Sequence, residues 1–182
     1  MKSEFYQLLE NCSIARKERD KMRNLVIRKP EFIPELCAIA FHLEDEIHTK
    51  AYWILELVSE KKLKLLIPYL EGFCETIPKL ADDSAKRTAS HIIFYLSKSN
   101  HRANGIALTQ LQETQFIEMC FDWLIRDEKV ATKVYAIKAL FVLGKKYDWI
   151  HPELKNIIQQ DYANHTAAYQ AATRIILKKM KP

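Results

Sequence analysis

Three glycines, at 72, 105 and 144, are all that this chain of 182 residues carries, and no two stand close enough to form a glycine-rich loop. A phosphate-binding P-loop, a dinucleotide-binding G-x-G-x-x-G turn and a G-x-S-x-G nucleophile elbow each need glycine where backbone must come close, so none is encoded. With only six prolines besides, turn formers are too few for a β-sandwich or a phosphate-cradling α/β domain. The cysteines contain no C-x-x-C pair and the six histidines no H-E-x-x-H pair. His42 and His48 stand six apart, more than about 90° around a helix. No metal and no cofactor are expected from such scattering. Apolar runs are short as well: nothing approaches the roughly 18 residues of a membrane span, and MKSEFYQLLENCSIARKERD lacks an apolar stretch of signal-peptide length. The expectation is residence in the cytoplasm without membrane attachment.

What remains is the composition of a helical domain with a substantial core: 48% hydrophobic residues, 28% charged, and short polar segments between. A single domain over 1–182 is expected. The net charge of +5 is unevenly spread, with +4 over residues 1–30 and −6 over 31–60. A dedicated nucleic-acid binder more often carries a continuous basic stripe, which the acidic block interrupts. The charge therefore permits an anionic partner without demanding one.

Four segments align without gaps: TKAYWILEL at 49–57, AKRTASHII at 85–93, TKVYAIKAL at 132–140 and AAYQAATRI at 167–175. In this register Trp53, Ala89, Ala136 and Ala171 share one column, with Leu57, Ile93, Leu140 and Ile175 four residues on, so both columns fall on one helix face. Ahead of each of these helices lies another, marked by Ile33-Pro34-Glu35-Leu36, Ile67-Pro68-Tyr69-Leu70 and Pro152-Glu153-Leu154. Proline is tolerated in a first turn because its missing amide has no partner there. Helix pairs are thus expected at 3–28, 31–60, 63–98, 113–146 and 150–180, the first being too polar over 15–24 to supply the same core columns and suited to a cap. The step between the middle columns is 47 residues, which places an inserted loop at about 97–112, read either as a tolerated surface loop or as a binding edge.

The segment TKVYAIKAL, with a basic residue before an alanine and then a leucine, resembles the second-helix motif of HEAT repeats and of bilin-lyase-like HEAT repeats. The resemblance covers about 30–181 and extends to the prolines of the first helices. It implies an all-α, right-handed α-α superhelix, a HEAT/armadillo-like solenoid of about five hairpins, in which second helices line a concave face. A non-enzymatic scaffold that binds a protein partner there is the expectation, with Tyr52, His91, Tyr95, Tyr135, Lys138 and Arg174 as the contact residues. Tyrosine and arginine suit that role because they bury much area while keeping a polar tip.

Several other groupings follow the repeat. Cys37, Cys74 and Cys120 recur at nearly the repeat step. Neighbouring helices lie about 8–10 Å apart, too far for the roughly 4.4–6.8 Å of a disulfide, so buried thiols are expected. The pairs Asp45-Glu46, Asp82-Asp83 and Asp127-Glu128 precede second helices, and Lys61, Lys62, Lys98, Lys145, Lys146, Lys178 and Lys179 follow them. Compensation of helix dipoles explains both sets. A basic edge facing phosphates or an acidic protein explains the lysines alone. The alternative function is accordingly nucleic-acid binding, in the limit a relative of the HEAT-like DNA alkylpurine glycosylases. Against that stands the placement of Trp53, Trp123 and Trp149, none of which the repeat register puts where it would cradle an extruded base.

Overall fold

Local chemistry sets where each helix starts. The computed structural model describes residues 2–180, in which no strand occurs. Ser3 caps α1 (Glu4–Glu10) by accepting the Tyr6 N–H at 2.9 Å. α2 (Arg16–Arg28) leads through a 3-10 turn at Pro30–Phe32 into α3 (Ile33–Phe41), with Pro34 in its first turn, and then α4 (His48–Lys62). A long 3-10 segment, Leu63–Tyr69, holds Pro68 and delays α5 to Leu70–Thr76. After a turn at Ile77–Lys79 the Asp82 carboxylate accepts the Ala85 N–H at 2.8 Å and starts α6 (Asp83–Asn100). Thr109 and Gln112 form a reciprocal capping box on α7 (Gln110–Ile125). α8 (Val130–Leu143), α9 (Ile150–Asp161), a 3-10 turn at Tyr162–Asn164 and α10 (Ala167–Lys179) follow.

The helices gather into two compact units, Met1–Ile92 and Ile93–Pro182, where the sequence reads as one domain; the division falls inside α6. In the first, α4 packs against α2 and α3 and touches α1. It is buried almost all round, from Ala51, Tyr52 and Ile54 through Leu55, Leu57 and Val58. Phe41 lies 6.4 Å from the Tyr52 ring and 6.3 Å from that of Phe73, within the range of favourable aromatic pairing. In the second unit α8 holds the same place, packed on α7, α9 and α10. Phe116, Trp123, Leu140, Leu154 and Ile158 fill its core. α8 stops at Gly144, where a Cβ would stand 2.2 Å from the His151 ring, so only glycine lets α9 come this close.

Two expectations are corrected here. The columns read from the sequence hold in α6 and α8, where Ala89, Ile93, Ala136 and Leu140 are buried; in α4 Leu57 is buried as expected but Trp53 is not, and in α10 both columns slip by two residues. Trp53 is half-exposed, donating from Nε1 to the Ser84 hydroxyl at 2.7 Å, and Ala171 and Ile175 are exposed. The buried series is Ala51, Leu55, Val58; Ala85, Ala89, Ile92; Thr132, Ala136, Ala139; and Tyr169, Thr173, Ile176. Two residues turn a helix by about 200°, so the slip in α10 exchanges inner and outer faces.

The inserted loop is also shorter than 97–112. Ser97 to Asn100 continue α6, and α7 already begins at Gln110. The residues between are tied down: the Ile106 N–H donates to Ser99 Oγ and the Leu108 N–H to Asn100 Oδ1, both at 3.0 Å, and Ile106 is buried. Gly105 is required, because a Cβ there would lie 1.6 Å from the Ser99 carbonyl oxygen. Polar residues that read as loop thus act as helix ends and turn-closing partners.

Candidate partner-binding cleft

Three helices of the second unit end around one depression. Lys98 lies in the last turn of α6, Lys145 just past α8 and Lys179 at the end of α10, and between them runs an open cleft of about 510 Å³. Its floor is apolar: Phe94, Phe141, Val142, Ala172, Ile175 and Ile176. Lys98, Arg102, Lys138, Lys145 and Lys179 supply five cations, with His101 beside them. Among the described residues no Asp or Glu lines the cleft, and none of the five cations has a carboxylate partner.

Dipole compensation does not absorb this charge. A helix C-terminus carries about half a negative charge, so three account for about one and a half of the five positives and leave a surplus of about three and a half. Three of the ammonium groups rest on aromatic rings: Lys98 and Lys138 stand 5.9 and 6.0 Å from the Phe94 centroid, Lys138 is 4.8 Å from that of Tyr135, and Lys145 is 5.8 Å from Phe141. Phe141 also stacks on His151 at 5.3 Å, whose Nε2 donates to the Phe141 carbonyl at 2.9 Å. Ile175 is 56% exposed on this floor.

Of the residues expected from the sequence to meet a partner, Lys138 lies in the cleft, and Tyr95 and Tyr135 flank Phe94 with ring centroids 6.1 and 6.5 Å away. Arg174 is exposed on α10, its Nη2 3.4 Å from the Tyr162 hydroxyl. His91 belongs to the first unit, where its Nδ1 meets the buried Glu56 carboxylate at 2.7 Å beside Arg87 at 3.3 Å. Tyr52 is overturned as a contact residue: it is wholly buried in α4, because that helix is enclosed by α2 and α3 and keeps no outer face at this point. Its hydroxyl has no hydrogen-bond partner among the described residues, and burial pushes its pKa up.

The expected basic edge divides. Lys98, Lys145 and Lys179 line the cleft; Lys178 is exposed but does not line it. Lys61 and Lys62 close α4 in the first unit, Lys61 being 3.6 Å from Glu60. Lys146 turns away to a buried carboxylate. Glu113, fully enclosed in the first turn of α7, accepts from Lys146 Nζ, the Tyr147 hydroxyl and Asn100 Nδ2, each at 2.5 Å. Burial alone pushes its carboxyl up, but these three donors outweigh it and hold the carboxyl below the usual range. The hydrogen bond to Glu113 raises both Lys146 and Tyr147. Sequence reading missed this cluster, since Glu113 looks like any acidic residue at a helix start.

The remaining candidate groups are dispersed. All four cysteines are buried thiols; burial pushes Cys37 up to about 12 and Cys74 up to about 11. Trp123 is core, while Trp149 is 55% exposed and stacks on Phe121 at 5.7 Å. Among the described residues no group of three or more His, Cys, Asp or Glu is arranged to hold a metal ion, and no helix is long and apolar enough to cross a membrane. Phe94, Phe141, Val142, Ala172 and Ile176 were not expected at a site. The one usable signal was Ile175, an isoleucine that the corrected α10 register turns outward among cations.

Paired helices wrapped on a central second helix, with side chains organised for packing, define a helical-repeat fold. The chain belongs to the HEAT repeat family: a model described as a HEAT repeat domain matches residues 7–180. Neither the curated proteins nor the solved structures compared with it gave a match.

Proposed function

We propose that the chain is a non-enzymatic scaffold that binds a protein partner, and that the cleft among α6, α8 and α10 is where it does so. The observation that carries this reading is the pairing of an exposed apolar floor with a charge surplus that neither carboxylates nor helix dipoles cancel. These are second helices, the ones expected to carry the partner surface. Tyr95, Tyr135 and Arg174 extend the contact along α6, α8 and α10. A cytoplasmic setting agrees with four unpaired cysteines, since thiols persist reduced there.

Photo-crosslinking tests the reading. A benzophenone side chain at position 175 is expected to capture a discrete protein, whereas the same group at Lys17, exposed on α2, captures none. Replacing Lys98, Lys138 and Lys145 by Glu should abolish the adduct. Identical adducts from both positions, or none from position 175, would overturn the proposal.

A further inference from the structure

A rim of five cations around aliphatic side chains selects among anionic partners. Phosphate backbones would satisfy the lysines, and single-stranded nucleic acid would add bases stacked on aromatic faces. Here the two aromatic rings are already occupied: Lys98 and Lys138 sit on Phe94, while Lys145 and His151 attend Phe141. The rest of the floor, Val142, Ala172, Ile175 and Ile176, is aliphatic and offers no π-face. Such a floor gains from branched apolar side chains, which a nucleic acid lacks. The cleft is also an open trough, so a small molecule would leave much of its surface in water, whereas a segment laid along it would not.

We infer that the occupant is an acidic amphipathic helix, which sets Leu-like side chains at i, i+3/i+4 and i+7 onto Ile175 and Val142 and carboxylates on both flanks toward Lys138, Lys145 and Lys98. This rests on the cleft being the partner site and adds the chemistry of the partner. Apolar anchors provide most of the affinity in helix-in-groove recognition; complementary charge sets orientation and speed of encounter. Uncompensated cations over rings are suited to this, because no existing ion pair has to break.

The probe is a fluorescein-labelled peptide of about 16 residues with leucines at helical spacing flanked by glutamates, long enough to form helix when docked. Its controls are the same composition scrambled and a labelled oligothymidylate. Fluorescence anisotropy on the full chain is expected to show binding that weakens as salt rises. The Lys138→Glu/Lys145→Glu double variant should lose about tenfold or more in affinity, and Ile175→Ser severalfold. All three side chains lie at the surface of the fold, and thermal melts followed by circular dichroism verify that the variants remain folded. Equal binding of the scrambled peptide overturns the inference, as does lysine-dependent binding of the oligonucleotide without the peptide. A silent peptide with crosslinking at position 175 intact sinks the helical partner alone; a silent peptide with no crosslink sinks the partner site too.

Discussion

Glu113 shows how much one side chain can organise. It joins the end of α6 through Asn100, the start of α7, and the segment after α8 through Lys146 and Tyr147. Because its folded carboxyl is held below the ordinary value of 4.5, its contribution is complete above that pH and is lost as pH falls through the depressed value. Tyr147 is raised above 10.0, so the donor it supplies is present below that pH and is lost as pH climbs through the raised value. Glu113→Gln is expected to cost about 1–3 kcal/mol at neutral pH, with the gap from the parent protein narrowing at both ends of a pH series of urea melts. A gap independent of pH would show that the cluster does not act through charge. None of this was legible in the sequence, because a carboxylate within 2.5 Å of its partners in space lies 13 to 34 residues from them in the chain.

At the scale of the helix, legibility followed amphipathicity. α6 and α8 carry small residues at Ala89 and Ala136, and a reading by columns placed both correctly. α4 has no polar face to set its phase: Glu56 and Ser59 are buried along with Tyr52 and Leu55, so apolar periodicity fits several registers equally well. In α10 the string AAYQAATRI offers two alanine pairs, and the buried positions turned out to be Tyr169 and Thr173, which look polar but are satisfied: Thr173 Oγ1 donates to the Tyr169 carbonyl at 2.8 Å. The α10 register has a direct test. Ile176→Ala should destabilise by about 2–4 kcal/mol in thermal melts, and Ile175→Ala by about 0.5 kcal/mol or less. Equal costs would place both side chains inside.

For the whole molecule, helix content could be read from glycine scarcity and repeat spacing, and the family from the resemblance of TKVYAIKAL and the first-helix prolines to HEAT repeats, while the division inside α6 leaves no mark in the sequence. Repeat proteins draw stability from neighbouring elements, so damage need not spread evenly. The thiols report this. Cys37 in the first unit and Cys120 in the second are both buried, and burial pushes both well above their ordinary pKa, so iodoacetamide at pH 8 reaches them only through opening. Glu113→Ala is expected to speed labelling of Cys120 about tenfold, read by mass spectrometry of peptides, with Cys37 unchanged. Equal acceleration at both would show that the chain opens as one body.

The place of the division has a practical meaning for dissection of the chain. It runs through the 18-residue α6 between Ile92 and Ile93, both fully buried, and not through a loop. A fragment beginning at Ile93 would inherit eight residues of that helix without the Asp82 cap, too short to hold helical form by itself. A fragment ending at Ile92 would forfeit Leu96 and Ser97, the last buried turn of the same helix. Neither half can be excised at a joint, because the division lies within one continuous helix.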